Sequence, residues 1–176
     1  EFPVIGISLF EATAYCHWLT QKYSQQLPPN YVVRVPTEAE WEKAAKGGLQ
    51  IPNVPILQTI ESLSHQSQVE FVENPLPKRP FPWGDGPLTS ELAVYGDDHD
   101  LPSPVGTFPE NVSPYGCIEM SGNVSEWTKT LLTPYPYEVW GYRDCAWLST
   151  VQFFVCRGGG LYDEPHELHI SWRAGF

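Results

Sequence analysis

Basic residues are scarce in this chain: ten Lys and Arg stand against 21 Asp and Glu, a formal net charge of −11 over 176 residues. Affinity for phosphate-rich partners comes mainly from basic side chains that displace counterions, so nucleic acid is excluded as a natural partner and an anionic membrane is disfavoured. The longest basic cluster, Lys78-Arg79, sits beside prolines. No run reaches eighteen apolar residues, so membrane insertion is not expected. The opening EFPVIGISLF lacks the basic flank and small-residue cleavage site of a signal peptide. The compartment stays open, with the cytoplasm favoured. The chain also lacks any CxxC pair: its cysteines are Cys16, Cys117, Cys145 and Cys156. That spacing argues against a zinc knuckle or a thioredoxin-type site. Cys145 and Cys156 could pair in an oxidising compartment; the alternative is free, mostly buried thiols that pack as small hydrophobes.

What the chain has in quantity is aromatic side chains, with seven Trp, nine Tyr and eight Phe, together with 14 Gly and 18 Pro. The length suits one domain with a substantial core. Two helix starts are legible. Ser8 and Glu11 form one capping box and Thr37 and Glu40 a second, each pair satisfying reciprocal backbone donors. Behind the first, Ala12, Tyr15, Cys16, Leu19 and Tyr23 recur at helical spacing and predict one apolar face. Behind the second, Trp41, Ala44 and Ala45 point inward, and Gly47-Gly48 ends the helix. YVVRV (31–35) reads as a short strand, rich in β-branched residues.

From Leu49 to Pro80 the periodicity is lost, and the segment reads as a surface loop insertion, with TIESLSHQ (59–66) as a candidate short helix. Beyond Phe81 the chain is dense in Gly, Pro and aromatics. FPWGDG predicts a turn, SPVGTFPEN a short strand and loop, YGCIEMSGNVSEWTKT a strand and turn carrying Glu119 and Glu126, and VQFFVCRGGG an apolar strand ending in glycines. The fold class is α+β: two helices around a small twisted sheet, with much irregular loop.

PVIGISLFEATAYCHWL, VRVPTEAEWEKAAKGG, FPWGD, SPVGTFPEN, YGCIEMSGNVSEW and VCRGGGLYDEP stand in the order and approximate spacing of the formylglycine-generating enzyme, or sulfatase-modifying-factor, family. The chain resembles that family from Pro3 to about Arg173. The resemblance implies a C-type lectin-like fold of the formylglycine-generating type as one partial domain over 1–176, with an insertion at about 49–80. Members of the family have segments beyond both ends of this stretch, so a partial domain with fused or associated partners is expected.

The resemblance implies several functions, and fold alone does not choose among them. Formylglycine-generating enzymes place a copper-binding cysteine pair after the RGG strand, whereas Gly158 to Phe176 holds no cysteine here. Ergothioneine-type sulfoxide synthases take iron from an HxxxHxE pattern, which this chain does not contain. Other members are non-catalytic, among them the hypervariable ligand-binding proteins. The expectation is a non-catalytic module for a protein or small-molecule ligand; the alternatives are the substrate-shaping domain of a nonheme-iron sulfoxide synthase and a formylglycine-generating enzyme.

The family's calcium loop corresponds to Glu119, Gly122, Val124 and Glu126, with Glu119 longer than the usual Asp or Asn and Ser125 in place of a large aromatic. Carboxylates flanking a glycine turn suit a hard cation that takes six to eight oxygens, so structural Ca2+ is expected. A second calcium site would fall near Val94, with Asp97, Asp98 and Asp100 as substitutes. The ligand-binding face of hypervariable relatives corresponds to Tyr162, Asp163, His166, His169 and Trp172, while Arg173 matches an arginine paired inside the fold. His166 and His169 invite a metal reading only on a helix, and none is signalled after Pro165; in an extended segment residues three apart point to opposite faces.

Overall fold

A computed structural model describes residues 1–55, 69–96, 100–135 and 152–176. Cys145, Asp97, Asp98 and the candidate helix TIESLSHQ lie outside the described residues. Both capping boxes form as the sequence predicts and open the two helices, α1 (Leu9–Lys22) and α2 (Glu38–Lys46). Helix α2 ends at Gly47, whose positive φ of 82° favours glycine.

The strands are short and antiparallel, in two small sheets. β1 (Gln50–Pro52) pairs with β2 (Phe71–Glu73), so the two ends of the 49–80 stretch meet at their base. β3 (Glu126–Leu131), β4 (Phe154–Arg157) and β5 (Ala174–Gly175) form the second sheet in the order β3-β4-β5, with an irregularity in register between Trp127 and Leu131. The turn at Phe81–Gly84 forms as expected. Among the described residues no helix is long and apolar enough to cross a membrane.

Three local expectations are corrected. YVVRV is not a strand: the Val33 amide donates to Thr20 Oγ1 at 2.9 Å, and that hydroxyl lies 3.1 Å from Val33 O, so a side chain of α1 takes the place of a strand partner. SPVGTFPEN is a turn rather than a strand, because its amides are taken elsewhere: Val105 N donates to Glu1 O and Gly106 N to the Glu119 carboxylate. The apolar face of α1 is not sealed, since no residue of the helix is fully buried. Tyr15 turns outward to stack on Trp18, with ring centroids 5.5 Å apart.

The core forms where α2 crosses β4 and the 117–122 loop. Trp41, Ala45, Met120 and Ile170 make one buried cluster. Val94, Phe108 and Leu161 make another, and Phe81, Ala93 and Leu168 a third. Close backbone approach sets the glycines here. A Cβ on Gly122, at φ +82°, would lie 2.6 Å from Val94 O, and Gly122 N donates to Gly158 O at 2.8 Å.

Beneath this core lies a buried ionic cluster. Glu38, in the first turn of α2, is 1% exposed and bonded by both Arg157 of β4 and Arg173. Arg173 meets both Glu38 oxygens, at 2.6 and 2.9 Å, and Thr133 O at 2.8 Å. This is the internal pairing expected for Arg173. Arg157 also reaches Glu42 at 2.9 Å and the Ile170 carbonyl. Removing one member of such a cluster leaves buried charge unpaired, which costs several kcal/mol. Glu38→Gln should therefore lower the unfolding free energy by about 3–5 kcal/mol in urea. Arg34→Met, which breaks a half-exposed pair with Glu40, should cost under about 1 kcal/mol.

Candidate functional site

The predicted site residues divide among several places. Glu119 sits at φ 56° in the loop after the Val112–Ile118 bridge. One of its carboxylate oxygens accepts from Gly106 N at 2.8 Å and the other from the Asn123 side chain at 3.2 Å. Asn123, at φ 66°, also accepts from Ser103 N at 2.9 Å, so Glu119 and Asn123 brace the 103–107 turn. Glu126 opens β3 and accepts from Trp41 Nε1. The structure thus gives the two carboxylates to different donors. Between them, the carbonyl oxygens of Gly122 and Val124 accept no hydrogen bond among the described residues.

Burial pushes the Glu126 carboxyl up to about 7, against the pull of the Trp41 N–H. By the same cause the Cys156 thiol, facing inward from β4, is pushed up to about 12. Cys16, Cys117 and Cys156 are free thiols. Glu40 behaves oppositely: the Arg34 guanidinium and the Thr37 amide hold it down at about 2.

The tail residues separate likewise. Pro165–Leu168 forms a 3-10 turn that the sequence did not signal; Pro stands at its start, and Glu164 and Glu167 close a capping box. A proline in the first turn costs little because its missing N–H would lack a partner there. The two histidines still part company. His166 is exposed and packs edge-on against Trp172 at 5.0 Å, while His169 is half-buried and packs edge-on against Phe81 at 4.9 Å. Tyr162 and Asp163 stand apart from both, on the rim of a cavity of about 630 Å³.

That cavity lies between the N-terminal segment, the first turns of α1, the 123–127 loop and the tail. Its walls are mostly apolar, among them Val4, Ile5, Leu161 and Phe176. The N-terminal segment is tied across it at two points: Glu1 O accepts from Val105 N at 2.8 Å, and Ile7 O accepts from Trp127 Nε1 at 3.0 Å. Asp163 is fixed through three atoms: its Oδ2 accepts from Gly160 N at 2.7 Å, its backbone oxygen accepts from Gly96 N at 3.1 Å, and its backbone N donates to Gly160 O at 3.1 Å. Sequence reasoning found Tyr162 and Asp163 but missed the opposite wall. The only sequence signal for that wall is the apolar VIGI stretch ahead of the first capping box. Glu126 lines this cavity and also a neighbouring one of about 560 Å³ with Trp41 and Cys117.

This arrangement, with helices, sheet and RGG strand in this order, is an α+β domain of the formylglycine-generating type. The model of the sulfatase-modifying factor enzyme 1-like domain matches residues 1–176, and the chain belongs to that family. It is 30% identical over 177 residues to hercynine oxygenase of Mycolicibacterium smegmatis, covering 97% of this chain and 33% of that protein. It is 31% identical over 150 residues to inactive C-alpha-formylglycine-generating enzyme 2 of Bos taurus, covering 85% and 40%. Among solved structures, that of PvdO from Pseudomonas aeruginosa superposes with a TM-score of 0.60 at 20% identity, covering 99% of this chain and 56% of that one. The chain thus spans about a third of the hercynine oxygenases it matches.

The raised Glu126 carboxyl has a consequence for stability. A carboxyl whose folded value lies above its unfolded one binds its proton more tightly in the native state. The stabilisation is full below the unfolded value, near 4.5, and is lost as pH rises through about 7. In calcium-free protein, urea denaturation at pH 5 and pH 8 should show wild type losing on the order of 3 kcal/mol relative to Glu126→Gln. Equal pH slopes for the two proteins would assign the titration to another group.

Proposed function

We propose that this chain is a non-catalytic ligand-binding module of the sulfatase-modifying-factor family, and that the cavity rimmed by Tyr162 and Asp163 is its binding site. The observation that carries the reading is the contrast between that cavity and the thiols. A mostly apolar hollow of about 630 Å³ with few polar groups is what a small-molecule site offers. The tail that rims it holds no cysteine from Gly158 to Phe176. Cys156, the thiol before the glycines, faces the core as a protonated thiol rather than the thiolate that copper chemistry uses. His166 and Trp172 form a separate exposed pair, suited to a partner protein rather than to the same ligand, and His169 belongs to the Phe81 stack.

A second reading is favoured by the hercynine oxygenase relatives: the chain would shape the substrate pocket of an iron-dependent oxygenase. One assay separates the readings. The full gene product, supplied with a CxPxR peptide and copper, and separately with hercynine, ferrous iron, a thiol and oxygen, should leave both substrates unchanged by mass spectrometry. Formylglycine in the peptide, or sulfoxidised hercynine, would overturn the non-catalytic reading in favour of the corresponding enzyme.

Calcium belongs to the same proposal. The residue types fit: Gly122 O and Val124 O have no competing donor among the described residues, and Glu126 supplies a carboxylate beside them in sequence. Glu119 would have to share its oxygens with Gly106 N and Asn123. The ion would supply charge neutralisation for a carboxyl that burial otherwise disfavours. Saturating calcium, against chelator, should raise the melting temperature by several degrees, an effect that Glu126→Gln abolishes. Equal melting temperatures in wild type would remove calcium from the account.

A further inference from the structure

The polar inventory of the Tyr162–Asp163 cavity is one-sided. Its charged lining groups are Arg34, Glu126 and Asp163. Arg34 is engaged by Glu40 through two bonds, at 2.7 and 2.5 Å, so its charge is already answered. The two neutral ring donors are also committed: Trp127 Nε1 to Ile7 O at 3.0 Å, and the Tyr162 hydroxyl to Asp100 O at 3.3 Å. Acceptors remain. Asp163 spends Oδ2 on Gly160 N, and its Oδ1 accepts nothing among the described residues. A ligand entering this hollow meets mostly apolar walls, the Ser125 hydroxyl, ring donors already bonded, and a carboxylate oxygen that accepts nothing among the described residues.

An anion placed here would face two carboxyl groups with the one guanidinium already paired. A neutral apolar molecule would fill the walls and leave Asp163 to water. A group with its own N–H donors and positive charge satisfies both features, and a charge-assisted bond is the stronger kind. We propose that the cavity takes an organic primary amine, its ammonium on Asp163 Oδ1 and its apolar body between the N-terminal segment and the tail. The proposal rests on the ligand-binding reading above and adds the chemical class of the ligand.

The test is a titration of the 15N-labelled full chain with n-hexylamine, 1-hexanol and hexanoate, followed at the Trp127 indole and the Gly160 amide. Both residues line the cavity, and the Gly160 amide is the donor to Asp163. Hexylamine is expected to bind at least about tenfold more tightly than hexanol, the worth of one charge-assisted hydrogen bond, with hexanoate weakest. Asp163→Asn keeps an oxygen for Gly160 N while removing the charge. It should bring hexylamine to the level of hexanol, and an unchanged melting curve reports that the variant is folded. Hexylamine binding no better than hexanol, or an Asp163→Asn variant that keeps the preference, would overturn the amine class and leave the cavity as a site. Perturbation by none of the three would overturn the cavity as a binding site as well.

Discussion

The buried carboxylate of Glu38 is the constraint on which the rest of this fold depends. It lies in the first turn of a nine-residue helix, where a negative charge also meets the positive end of the helix dipole. Two guanidinium groups converge on it from separate parts of the chain, Arg157 from β4 and Arg173 from beside β5. The described strands are at most six residues long, and the sheets have two and three strands. Such sheets have little capacity to fix the relation of helix to tail by backbone pairing alone. The ionic cluster does so instead, because any shift of α2 against the 154–175 region would strand charge out of reach of water.

From that cluster the order propagates outward through Trp41. The Arg157 guanidinium lies 5.1 Å from the centre of the Trp41 ring, and the same indole donates to Glu126. One aromatic side chain therefore links the buried cluster to the loop that carries Glu119, Gly122 and Val124, and to the wall of both cavities. Gly122 and Gly158 complete the link: Gly122 N donates to Gly158 O at 2.8 Å, while a Cβ on Gly122 would lie 2.6 Å from Val94 O and one on Gly158 3.0 Å from Met120 O. The rim residues Tyr162 and Asp163 follow Gly158 by only four and five positions. Their placement is thus inherited from β4 and its glycines, whereas the N-terminal wall is held by two hydrogen bonds to turns and strands elsewhere.

Local signals carried well from sequence to structure where a short segment determines its own geometry. The capping boxes at Ser8–Glu11 and Thr37–Glu40, the stop at Gly47, the Phe81 turn and the inward face of Trp41 and Ala45 are of this kind. Legibility ended where partners come from far away. YVVRV has strand composition, yet its backbone partner is a threonine hydroxyl thirteen residues earlier. The Pro165–Leu168 turn hid behind a proline that reads as a breaker, although its acidic capping pair is plain in GLYDEPHEL once the turn is known. Glu38 lies inside PTEAEWE, one of the two most specific motifs, and Arg157 opens the less specific RGG. Composition gives no sign that they are 119 residues apart and bonded.

The same distinction explains why the site was only half visible. Motif matching finds residues that share a segment, so it gathered Tyr162, Asp163, His166, His169 and Trp172 into one surface. The fold sends them to a cavity rim, an exposed aromatic pair and the Phe81 stack. The side chains that share the hollow come from the N-terminal segment, α1, residues 34–36, the 123–127 loop and the tail. The chemistry of that hollow is set less by which residues line it than by which of their polar atoms are still free. Arg34 and Glu40 neutralise each other, Trp127 closes on Ile7, and Asp163 Oδ1 accepts nothing among the described residues. Glu38, Arg157 and Trp41, which hold the fold, do not line the hollow, so exposed lining residues such as Tyr162 can change without disturbing that cluster.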